Sequence, residues 1–162
     1  MLTVGTDSYI TVEYADRYIA EHYLPENSEQ KRWSDLGTEE KEIRLRLACE
    51  ELEQLPWQGA AIAKDQPLAF PRAPYQTYTA TEAPTKIKNA QVELALWRSD
   101  DQAQADAAQR EQLKLEGVQS VSLGSLSMSF SGDGANASAS ALTCPKVRRL
   151  VTPYIRGGYD TA

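Results

Sequence analysis

Two stretches of helically spaced apolar residues, at 39–55 and 84–97, flank a segment from Pro56 to Pro84 that holds five prolines and no sustained periodicity. In the first, Leu45, Ala48, Cys49, Leu52 and Leu55 form one face, Thr38 stands at the capping position, and Pro56 stops the helix. In the second, Pro84 suits the first turn and Ile87, Ala90, Leu94 and Trp97 form the stripe. Each stripe must be covered, so the two helices are expected to pack in one core. The segment between them is then an ordered loop rather than an element, because long loops in compact domains are functional or held by their own side chains. Leu68 and Phe70 are expected to insert between helices while Pro71 stiffens the exit. Arg72 is read as either an interface contact or a helix-capping partner.

Toward the N-terminus, Thr11 can cap a helix in which Val12, Ala15, Tyr18 and Ile19 recur and which ends near His22 to Leu24, before Pro25. Trp33, in a polar stretch, is expected to anchor a loop or short helix on the core. The periodicity changes near Gly117. Val121 and Leu123, then Leu126, Met128 and Phe130, alternate with polar residues around Gly124-Ser125, which predicts a β-hairpin with one apolar face. Serine on its other positions leaves an edge without charged gatekeepers, open to strand pairing between subunits. Leu126, Met128, Phe130 and Arg72 are therefore the expected inter-subunit contacts.

The predicted fold is α+β, mainly α: a compact bundle of three to four helices with one β-hairpin and a C-terminal helical arm. Residues 1–130 form the body, residues 131–143 a flexible linker rich in Ser, Ala and Gly, and residues 144–162 the arm. Pro145 suits the first turn of a short helix with Val147, Leu150 and Val151 opposite Arg148 and Arg149. So short a helix is marginal alone, so the arm is expected to dock on a partner. The alternative is an arm folded back on the body.

Charge separates these two parts. Residues 1–140 carry 13 Lys and Arg against 22 Asp and Glu, a net of −9, whereas residues 141–162 carry four against one, a net of +3. The overall −6 opposes a protein that grips nucleic acid through phosphate neutralisation. The best aromatic-plus-basic grouping for a single strand is Arg72, Tyr75, Tyr78, Lys86 and Lys88, set in that acidic body.

Catalytic and cofactor chemistry find no residue inventory. The only cysteines are Cys49 and Cys144 and the only histidine is His22, too few for a structural zinc site or a nucleophile and base pair. Cys49, on an apolar stripe, reads as a small buried hydrophobe. Gly132, Gly134 and Ala137 match a dinucleotide-site pattern but lack its parallel strand and following helix. Asp100 and Asp101 read as a polar helix end. No cofactor, metal or catalytic residue is expected, and no apolar run is long enough to span a membrane. The N-terminal residues show no basic region before an apolar stretch, so no secretory signal and a reducing compartment are expected.

The order of "DSYITVEYADRYI" at 7–19, "LAFPRA" at 68–73, "APTKIKNAQVELAL" at 83–96 and "VSLGSLSMSF" at 121–130, with a short C-terminal helix, resembles the phage proteins labelled DnaT-like, single-stranded-DNA-binding. Members of that family resemble head-to-tail connector subunits of tailed phages. The resemblance implies a virion structural protein assembled in the host cytoplasm: a ring of twelve copies that docks under the portal, joins the filled head to tail or neck proteins, and lets DNA pass without specific binding. The family label implies the alternative, a single-stranded-DNA-binding protein. If the connector reading holds, Lys146, Val147, Arg148, Arg149, Leu150, Tyr154, Ile155 and Arg156 are the expected portal interface.

Overall fold

The structure is a computed structural model that describes residues 1–100, 105–106, 109–110, 112–113, 120–123, 126–129 and 139–156. Helix α1 spans Val12–His22, with the Thr11 hydroxyl accepting from the Tyr14 N–H as its cap. The short α2, Ser28–Ser34, exists to place Trp33, whose indole is buried and donates to Asp16 Oδ1 at 2.7 Å. Helix α3 spans Thr38–Glu53. Its N-cap is Gly37 rather than the expected Thr38, and Glu40 reaches back to accept from the Gly37 N–H at 3.1 Å.

The 56–84 segment is ordered as expected, and it contains a two-residue ribbon, β1 (Ala60–Ala61) paired antiparallel with β2 (Arg72–Ala73). Gly59 precedes the ribbon at φ +80°, and a Cβ there would lie 1.9 Å from the Ala73 carbonyl oxygen. Only glycine fits both the left-handed backbone and that approach. Leu68 and Phe70 are buried, as their spacing suggested. Phe70 meets Tyr9, Trp57 and Tyr154 edge-on at centroid distances of 6.2, 4.9 and 5.6 Å.

Helix α4, Thr85–Arg98, is the centre of the molecule. The sequence suggested one apolar stripe; instead every residue from Ala90 to Leu96 is buried, including Gln91 and Glu93. A helix covered on all sides needs partners for its polar groups. Gln91 finds them on both neighbours. Its amide oxygen accepts from the Tyr9 N–H at 3.0 Å, and its NH2 donates to Ser8 Oγ at 2.8 Å and to the Leu45 carbonyl at 2.7 Å. A second bridge runs through Glu53, which accepts from the Tyr9 hydroxyl and from the Ala69 N–H. Burial raises the Glu53 carboxyl above its usual range and raises the Tyr9 phenol as well.

Strands β3 (Ser120–Leu123) and β4 (Leu126–Ser129) form the expected antiparallel hairpin. The register opposes Val121 to Met128 and Leu123 to Leu126, with serine opposite serine between and beyond them. Gly124-Ser125, Phe130 and the Gly132, Gly134, Ala137 pattern lie outside the described residues.

The C-terminal part corrects the sequence reading twice. Residues 139–143, assigned to the flexible linker, form helix α5 (Ala139–Thr143), with Ala141 buried; residues 131–138 lie outside the described residues. The arm is not separate either. Helix α6 (Pro145–Val151) and the 3-10 turn Thr152–Tyr154 pack on the body, and Cys144, Val147 and Val151 belong to the same core as α1, α3 and α4. The physical reason is the one that made a free arm implausible: a helix this short needs tertiary burial, and α4 supplies it within the same chain.

Candidate functional site

Three features of the body carry interaction chemistry, beginning with the seat of α6. Glu93 lies on the buried face of α4 at 6% exposure and accepts from the Tyr18 hydroxyl at 2.8 Å and the Tyr23 hydroxyl at 2.5 Å. Lys146, from the start of α6, donates to the Tyr23 oxygen at 2.5 Å and stands 3.6 Å from Glu93. Its ammonium also lies 4.2 Å from the centre of the Tyr23 ring. Burial and then the bond to Glu93 push both phenols above their ordinary range, so they stay protonated donors near neutrality. The tail beyond α6 is stitched on by backbone bonds from Gln58 N to the Tyr154 carbonyl, 2.8 Å, and from Arg156 N to the Pro56 carbonyl, 2.7 Å.

These contacts redistribute the expected portal interface. Val147 is fully buried, and Leu150, Tyr154 and Ile155 are half-buried against the core, so they help hold α6 in place. Lys146 is committed to Tyr23 and Glu93. Arg148, Arg149 and Arg156 remain exposed on the outward side of the arm. Among the expected inter-subunit contacts, Leu126 and Met128 sit at the register positions given above, while Phe130 is outside the described residues.

Arg72 takes a role that neither expectation covered. Its guanidinium donates to the carbonyls of Gln58 (3.1 Å), Gly59 (2.7 Å) and Ala69 (3.2 Å), stapling the proline-rich segment to itself. The aromatic-plus-basic grouping around it does not assemble into one site. Tyr75 donates to Gln58 and packs on Tyr154, Lys88 is paired with Glu82, and only the Tyr78 ring stands well out, at 81% exposure.

A second feature, not singled out in the sequence, runs along α1. Tyr14, Tyr18 and His22 follow one another at i, i+4 spacing, with the His22 ring stacked on Tyr18 at 4.0 Å and Arg17 and Lys88 over Tyr14 at 5.5 and 5.9 Å. The i, i+4 repeat of rings was its signal. The third feature is α3, which carries a second stripe on its outer side. Glu39, Ile43, Leu47, Glu50 and Gln54 are all exposed, and the two aliphatic side chains reach 51% and 53%.

A family profile described as "Putative DnaT-like ssDNA binding protein" matches residues 2–162, nearly the whole chain. The chain belongs to the DnaT-like family. No curated protein and no solved structure matches it. Within this DnaT-like chain six of the 17 Lys and Arg stand beside acids among the described residues. Arg32, Lys41, Arg46, Lys88, Arg98 and Lys146 are each within 4 Å of a carboxylate, on Asp100, Asp16, Asp7, Glu82, Glu51 and Glu93 respectively. Such pairing leaves less positive surface for phosphates than the residue count suggests. Both cysteines of the DnaT-like chain are buried thiols, and burial pushes Cys49 up to about 12 and Cys144 upward, which disfavours the reactive thiolate.

Proposed function

We propose that the chain is a non-enzymatic structural subunit of a tailed-phage virion, a head-to-tail adaptor that forms a ring under the portal and links the DNA-filled head to tail or neck proteins. The observation that carries this reading is the distribution of charge on one body. Its acidic body pairs five of its own cations with carboxylates, while Arg148, Arg149 and Arg156 on the arm face outward without a carboxylate partner among the described residues. A unit with surfaces of opposite sign is suited to assembly with other proteins, and an acidic net charge keeps passing DNA from adhering. Electron microscopy of the purified chain mixed with its portal tests the reading. A ring added to one end of the portal supports it; portal particles identical with and without the chain overturn it.

Single-stranded-DNA binding is the second reading, favoured by the family's description and by the stacked rings of α1. Tyr14, Tyr18 and His22 offer faces for bases, with Arg17 and Lys88 beside them for the backbone. This reading requires an affinity that falls steeply with salt and that drops when Tyr14 and Tyr18 are replaced by alanine. Fluorescence anisotropy of a labelled oligonucleotide across a salt series checks both.

A further inference from the structure

The outer stripe of α3 and the outer side of α6 are complementary surfaces of one chain. On α3, Ile43 and Leu47 are half-exposed aliphatic side chains one turn apart, and Glu39 and Glu50 bracket them. An open groove runs beside this stripe between Arg44, Leu47, Glu50, Gln54 and the Arg98–Glu51 ion pair. On α6, Arg148 and Arg149 are exposed on the side opposite the buried Val147 and Val151, and Arg156 follows on the tail. Neither Glu39 nor Glu50, nor any of these three arginines, has a charged partner among the described residues.

We propose that copies of this chain associate head to tail, with the α6 arginines of one copy seated on the Glu39–Ile43–Leu47–Glu50 stripe of α3 in the next. The chemistry suits long arginine side chains: their methylene stems cover Ile43 and Leu47 while the guanidinium groups reach the flanking carboxylates. The two patches are different surfaces of the same body, so the contact is heterologous. Each copy that uses both leaves one of each free at the ends, and repetition closes into a ring or continues as a filament. This deepens the adaptor reading and rests on it for closure into a ring; the pairing of α3 with α6 is read from the surfaces themselves.

Charge reversal tests the pairing. Sedimentation velocity or native mass spectrometry at low salt would follow the wild-type chain, E39K/E50K, R148E/R149E and the chain carrying all four substitutions. The wild type is expected to self-associate, and each single-face reversal is expected to weaken association roughly tenfold or more, because like charges then meet. The fourfold variant is expected to recover association, since both signs are exchanged. A mixture of the two single-face variants is expected to recover association as alternating copies, because α6 of either variant then meets an α3 stripe of opposite sign on the other. Leu47→Ser, which leaves every charge in place, should weaken association as well. All substitutions are on exposed residues, and unchanged far-UV circular dichroism confirms that each variant is folded. A wild type that stays monomeric at low salt overturns the proposal, and portal binding by that monomer then decides the adaptor reading separately. Self-association that survives both reversals overturns the α3–α6 pairing while leaving a ring through other surfaces intact.

Discussion

Replacing Val147 by alanine should unfold the body at lower temperature, although the residue lies in the last fifth of the chain. Val147 is fully buried between α6 and α4. The substitution removes two methyl groups, worth about 1.6 kcal/mol of transfer free energy at roughly 0.8 kcal/mol each. The cavity left behind adds about 1 kcal/mol, because packed surroundings relax only in part. Alanine's better helix propensity returns about 0.5 kcal/mol. The net cost is then about 2 kcal/mol, which for a domain of this size lowers the midpoint by about 4–8 °C. Differential scanning calorimetry or circular dichroism melting would read it, with Arg149→Ala as the exposed control on the same helix, expected within about 0.5 kcal/mol of wild type. Val147→Ala and Val151→Ala combined should cost more than either alone, though less predictably than their sum, because the two sit one turn apart. If Val147→Ala melts with Arg149→Ala and wild type, α6 does not belong to the core and the seat on α4 described above is wrong.

Three further perturbations test the polar and backbone supports. Gly59→Ala should destabilise by about 2 kcal/mol or more, since alanine meets both an unfavourable φ and the Ala73 carbonyl; a melting temperature at or above wild type would contradict it. Gln91→Leu strands the Tyr9 N–H in the interior and removes the second bond to the Leu45 carbonyl, and should cost about 2 kcal/mol in urea unfolding, with a loss under about 1 kcal/mol contradicting it. For Glu53 the folded carboxyl lies above its unfolded value, so the folded state binds the extra proton. Its contribution to stability therefore grows as pH falls from neutrality through the raised folded value toward the ordinary carboxylate range. Against Glu53→Gln, which cannot titrate, the wild type should gain relative stability on going from pH 7 to pH 5, and a constant difference across that range would refute the shift.

Elements whose burial is one-sided were legible from periodicity, and those buried on several sides were not. Helix α1 ends at His22 within the expected range, and the hairpin register follows the alternation of Val121, Leu123, Leu126 and Met128. Helix α4 was located, but its stripe hid the burial of Gln91 and Glu93, because nothing in a single helix reveals that α1, α3 and α6 will enclose it. The same gap explains the arm. Val147, Leu150 and Val151 announce an apolar side without naming its partner, and the missing information was the place on α4 where Glu93 receives Lys146. Arg72 was read from the sequence as an interface contact or a helix-capping partner. Its three carbonyl partners depend on how the 56–84 segment folds back on itself, a long-range closure that local propensity does not encode. On α3 the exposed Ile43 and Leu47 were readable as apolar residues off the main stripe, and only the finished packing shows that no element of the body covers them fully.

The most direct test offers both candidate partners to one preparation of the chain. The protein is incubated with portal assemblies and with a labelled single-stranded oligonucleotide at physiological salt, and native mass spectrometry reads which complex forms. The adaptor reading expects portal carrying a full set of chains, with the oligonucleotide left unbound. An oligonucleotide complex together with bare portal would contradict it and establish the single-strand-binding reading in its place.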